Sequence, residues 1–190
     1  MAATKVATRQ QTMSVSGFKP PIGHFVSPLL TALALGTLTG AANRMDIYPW
    51  LCVEDMTVDQ IGVEVTTAVA SAQGKLVIYN VDADNRPTTL AFESTVLDFS
   101  TVGYKFVTQS FSFVKGTVYW FGIRHSSTAA VRAVAVGAMQ SLGLTTGAAT
   151  TANTIARRTV TFGNAAPNPW TFVASELANS AGALFKMRVA

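Results

Sequence analysis

The sequence predicts an all-β fold, an antiparallel β-sandwich over residues 21–190 preceded by an extended N-terminal arm over residues 1–20, and three observations carry that expectation. Segments rich in β-branched and aromatic residues recur along the 190-residue chain, separated by turn clusters at spacings of about 8 to 12 residues. Several of them alternate apolar and polar residues with a period of two. No segment sustains a helical period long enough for a core helix, and no internal repeat interrupts what one domain of this length would hold.

The arm, MAATKVATRQQTMSVSGFKP, is small and polar with no sustained period, so it is expected to lie on a neighbour rather than in a core. Residues 44–53 (RMDIYPWLCV) are β-favouring, and Pro49 restricts them to an edge or a bulge because it brings no N–H to a ladder. In residues 56–69, Val58, Ile61, Val63 and Val65 alternate against Asp59, Gly62, Glu64 and Thr66, with one slip near Gln60 that predicts a bulge. Gln73-Gly74 turns the chain into KLVIYNV at 75–81, and DADNRP at 82–87 is a dense turn.

Residues 88–98 supply one strand or two short ones. Residues 104–114 (YKFVTQSFSFV) offer Phe106, Phe111 and Phe113 to the core, and Lys115-Gly116 closes a hairpin into TVYWFGIR at 117–124. The unbroken aromatic character of that last segment predicts cover on both faces. Residues 137–154, rich in Gly, Thr and Ala, form a long loop of the kind that contacts partners. The segments 157–162 and 183–189 provide the last strands, joined through NAAPNPW at 164–170.

Composition bounds the function. Charged residues are 13% of the chain against 49% hydrophobic, about half the usual charged share, so the outer faces are either solvated by Thr, Ser, Gly and Asn or buried against partner subunits. Lys5, Arg9, Lys19 and Arg44 all precede the first acid, Asp46. That density is too low for a polybasic nucleic-acid tail. The apolar run at 29–36 falls short of the roughly 20 residues that span a bilayer, and Pro20 and Pro21 fit no signal peptide. Neither a membrane segment nor a leader is expected.

Catalytic and metal signals are sparse. Cys52, the single cysteine, sits in an apolar run as a buried structural thiol. His24 and His125 are far apart and outside any metal-binding spacing. Asp82, Asp84 and Asn85 have spaced oxygens suited to calcium, but the EF-hand Gly and distal Glu are missing, and Asx residues also form turns by bonding their own backbone. The acids Glu54, Asp55, Glu64, Glu93 and Asp98 are better explained as solvent-facing strand positions than as glycosidase pairs. No phosphate-binding or nucleophile-elbow motif occurs, so no cofactor and no enzymatic activity is expected. Of the aromatics, Tyr48, Trp50, Tyr104, Tyr119 and Trp120 are assigned mostly to the core, and Trp170, between Pro169 and Thr171, is the candidate exposed platform for a glycan.

The order ANRMDIYPW, MTVDQIGVEVTTAVASAQGKLVIYNVDADNRPTTL, ESTVLDFSTVGYKFVTQSFSFVKGTVYWFGIRHS and ALFKMRVA resembles a jelly-roll module of virion proteins of tailed bacteriophages. It is carried best by IGVEVTTA, the GKLVIY strand with its acidic turn, GTVYW and the apolar C-terminus, and it spans about four-fifths of the chain as a likeness of strand pattern. The resemblance implies a homotrimeric capsid decoration (cement) protein on the virion surface, made in the host cytoplasm. Its partner would be the major capsid protein. On this reading Lys5, Arg9 and Lys19 of the arm supply charge complementarity, and Val6, Val15 and Phe18 anchor it. The alternative is a receptor-binding or fibre-tip protein that recognises host surface polysaccharide.

Overall fold

The computed structural model describes residues 20–28, 34–139, 144 and 153–190; the arm and most of the loop at 137–154 lie outside them. Two antiparallel sheets pack face to face. The strands of the first are β1 (Phe25–Val26), β2 (Leu35–Thr39), β4 (Met56–Thr67), β8 (Gly103–Phe113), β10 (Ala130–Val134), β13 (Gly182–Ala183) and β14 (Phe185–Val189). The second holds β3 (Arg44–Leu51), β5 (Gln73–Val81), β6 (Pro87–Glu93), β7 (Leu97–Asp98), β9 (Val118–His125), β11 (Ile155–Thr159) and β12 (Leu177–Ala178).

In the first sheet the long strand β4 is the spine. One of its edges pairs with β8, and β14 and β10 also pair with it. β14 carries β1 on its far side and β10 carries β2. The slip at Gln60 is a bulge: Val58 faces Phe111 and Gln60 faces Thr108, so Gln109 and Ser110 together oppose Asp59. The alternation breaks in β4, where Val58 and Ile61 are three residues apart yet both buried, whereas β8 keeps its period of two through the bulge. Phe113 is buried, Phe111 is half-buried and Phe106, an odd number of residues from both, faces outward at 44% exposure, which corrects the expectation that all three phenylalanines fill the core.

The second sheet runs β12-β11-β3-β9-β5-β6, with β7 also on β5. β3 is interior where β11 covers it, from Arg44 to Ile47, and loses that neighbour just before Pro49. The proline thus occupies the uncovered half of an otherwise internal strand, where a missing donor costs least. Gly116, at φ +77°, makes the turn after β8. It carries the chain across to the opposite sheet, so β8 and β9 are not the hairpin partners that the sequence predicts.

Two apolar cores result. Val58, Ile61, Val63, Trp50, Phe113, Phe121 and Phe185 fill the space between the sheets. Met45, Ile47, Tyr79, Trp120, Leu144 and Trp170 form a second cluster on the other side of the second sheet, under the segment that follows β11. Every residue of β9 is buried, as its unbroken aromatic run predicts. Arg124 fastens the cover. It is 1% exposed, pairs with Glu93, and donates through Nη2 to the carbonyls of Thr161, Phe162 and Asn164 at 3.0, 3.2 and 2.8 Å.

Candidate contact surface

With the second sheet covered on both sides, the outward face of the first sheet is left open, and its side chains follow from one glycine. A Cβ on Gly62 would lie 2.6 Å from Tyr104 Cε2 and 2.7 Å from Phe106 Cβ. Without it, the two rings of β8 lie across β4, stacked at 5.3 Å between centroids. Tyr104 reaches over β4 to donate its hydroxyl to the Lys186 carbonyl at 2.9 Å, and partial burial pushes its phenol up to about 12. Phe25, 52% exposed, stands edge-on to Tyr104 at 5.6 Å. Phe25, Ser27, Tyr104 and Lys186 line a shallow hollow of about 390 Å³.

Ion pairs surround this aromatic patch. Arg188 forks onto Asp59 with both contacts at 2.8 Å, and Arg132 pairs with Glu64 at 3.2 Å with Lys186 beyond at 3.9 Å. The guanidinium hydrogen bonds hold the Asp59 and Glu64 carboxyls below their ordinary range. Such exposed pairs add little stability, but they fix where charge stands on the face. Replacing Gly62 with alanine is expected to displace Tyr104 and Phe106 and to cost about 1–3 kcal/mol, read as a lowered thermal midpoint; an unchanged midpoint would show that the rings do not need the gap.

A second depression, of about 420 Å³, lies at one end of the sandwich among Pro20, Ile22, Met56, Phe113 and Val189. It adjoins the point where the described chain begins. The arm residues Lys5, Val6, Arg9, Val15, Phe18 and Lys19 lie outside the described residues.

Trp170 is not an exposed platform. It is 2% exposed, edge-on to Tyr79 at 5.6 Å and capped by the Arg158 guanidinium at 4.1 Å, while its backbone N–H donates to Thr88 at 2.7 Å. The turn-rich segment reads as exposed in sequence because its polar backbone hides a ring that closes the second core. The open rings are Phe25 and Phe106 instead; the odd spacing of Phe106 from Phe111 and Phe113 sets it on the other face of its strand in the sequence already, whereas its place beside Gly62 follows only from the register.

The turn at 82–87 satisfies itself: Asp82 Oδ1 accepts the N–H groups of Asp84 and Arg86, both at 2.9 Å. Among the described residues no three His, Cys, Asp or Glu side chains stand together as a metal site, and Asp82, Asp84 and Asn85 are explained as a turn. The acids weighed as catalytic pairs are engaged elsewhere. Glu54 pairs with Lys115 at 3.0 Å and Asp55 accepts the Lys115 N–H at 2.7 Å. Glu93 holds Arg124, and Asp98 accepts the Ser100 N–H at 2.8 Å. Cys52 is fully buried, donates to the Glu54 carbonyl at 3.0 Å, and has its thiol pushed up by burial. His125, the last residue of β9, is buried beside Phe99.

No helix among the described residues is long and apolar enough to cross a membrane. Comparison with protein-family models and with curated proteins finds no match.

Proposed function

We propose that the chain is a non-catalytic structural subunit that binds an assembled protein shell, as a capsid decoration protein of a tailed bacteriophage does, and stabilises it. The observation that carries this reading is the division of the surface: the candidate acids are tied up in pairs and turns, whereas the open sheet face presents apolar rings that water solvates poorly. The jelly-roll likeness of the sequence supports the same reading, with the arm as a second contact. A subunit that binds only the finished shell stabilises it by mass action, and many copies multiply a modest contact through avidity.

The test is co-sedimentation of the protein with assembled capsids and with unassembled capsid protein. Binding to shells alone, with a raised shell melting temperature and at least a tenfold loss of affinity on deleting residues 2–19, is the expected result. Equal binding to unassembled subunits, or none to either, would end the proposal. Phe25, Tyr104 and Phe106 favour one rival, recognition of a host polysaccharide by ring stacking. Binding of that polysaccharide by the isolated protein, abolished by Phe106→Ala, would put the rival first.

A further inference from the structure

Sheet edges expose unpaired N–H and C=O groups, and this fold protects its edges unevenly. The outer edge of β6 is covered, since Thr88 accepts from the Trp170 N–H at 2.7 Å and the Leu90 N–H donates to Asn168 Oδ1 at 3.1 Å. β1 and β12 are two residues each, and β2 is five. β8 is eleven residues long and pairs only with β4. Among the described residues no other element takes up its second edge.

That edge has few of the usual guards. It contains no proline and one charge, Lys105, and its single protective irregularity is the bulge at Gln109 and Ser110. Exposed apolar side chains collect along it: Val102 at 63% and Val114 at 55% stand just beyond its two ends, with Phe106 between them.

We propose that β8 is a self-association edge, pairing antiparallel with the β8 of a second copy about a two-fold axis near Thr108 to join two first sheets into one. The pattern along the strand is self-complementary. An antiparallel pair brings the start of one strand to the end of the other, so the Val102 end of each copy meets the Val114 end of its mate. Lys105 then lies about 20 Å from its symmetry equivalent, at about 3.3 Å per residue over six residues, so no like charges face each other. In this register Thr108 faces its own equivalent, Gln109 faces Val107, Ser110 faces Phe106 and Ser112 faces Tyr104, so each of these pairs is free of charge across the isologous contact. The inference does not depend on the shell reading. Its two-fold symmetry departs from the trimer that the family likeness implies.

The full chain, studied by sedimentation and by amide hydrogen exchange across a concentration series, tests this. A dimer whose formation protects the amides of 103–113 is expected. Thr108→Lys, at an exposed site, sets two ammonium groups together at the axis and is expected to weaken dimerisation at least tenfold without lowering the thermal midpoint of the monomer. Thr108→Cys supplies a second readout, because Cys52 is buried and is the only native thiol: under mild oxidation the introduced thiols of two copies should join. A chain that stays monomeric with β8 amides protected would show residues 1–19 occupying the edge and would overturn the proposal. So would assembly without protection of β8, or a dimer in which Thr108→Cys does not cross-link.

Discussion

Replacing Arg124 with methionine should destabilise the protein by about 3–5 kcal/mol, the usual cost of removing one member of a buried ion pair. The side chain is 1% exposed, and methionine approximates its volume but none of its donors. Glu93 would keep Lys75 at 3.6 Å and the Ala166 N–H at 3.2 Å, which places the loss towards the lower end. The carbonyls of Thr161, Phe162 and Asn164 would lose a shared cationic donor. For a domain of this size the thermal midpoint should fall by about 6–20 °C, at about 2–4 °C per kcal/mol. Exchange should rise first in the amides of 160–166. A midpoint within 2 °C of wild type would mean that the cover over the second sheet does not rely on this residue.

Acid should weaken the fold well before its carboxylates are protonated, and His125 is the cause. Burial, reinforced by the nearby Arg44 charge, lowers its imidazole from 6.5 to about 3, and neither ring nitrogen has a hydrogen-bond partner. Above pH 6.5 the ring is neutral in both the folded and the unfolded chain, so it contributes no pH dependence. Between pH 6.5 and 3 the unfolded chain takes up a proton that the folded chain refuses, and stability falls as pH falls. By pH 4.5 the loss should reach about 2.5 kcal/mol, at 1.36 kcal/mol per pH unit. The lowered carboxyls of Asp59, Glu64 and Asp98 act in the same direction but only below their ordinary range, leaving pH 6.5 to 4.5 to the histidine. Urea unfolding across that window should slope for wild type and flatten for His125→Leu. Equal slopes would assign the acid sensitivity to another group.

Much of the sandwich is legible in the sequence because strand periodicity is local. The alternation from Val58 to Val65, the slip at Gln60 and the doubly apolar run at 117–124 each correspond to an observed feature. What escapes is what depends on register or on distant cover. Phe106 stands seven residues from Phe113, so period-two alternation alone sets them on opposite faces; which face is inward is decided only by the pairing of β8 with β4. Lys115-Gly116 has hairpin chemistry, yet its turn leads to the other sheet, a choice made by packing and not by the turn residues. Trp170 sits in a run of turn formers, and only the fold shows that the run lies over Tyr79 and Trp120. Of the candidate surface, the open aromatic rings depend on Gly62 meeting β8, a relation between residues more than forty positions apart.

The two apolar layers also divide the chain's three tryptophans. Trp50 lies between the sheets, whereas Trp120 and Trp170 lie beneath the outer cover. Intrinsic emission therefore carries two signals. Quenching of the outer pair tracks detachment of the cover, and quenching of Trp50 tracks separation of the sheets, so a variant keeping only one class of indole reports which layer opens first.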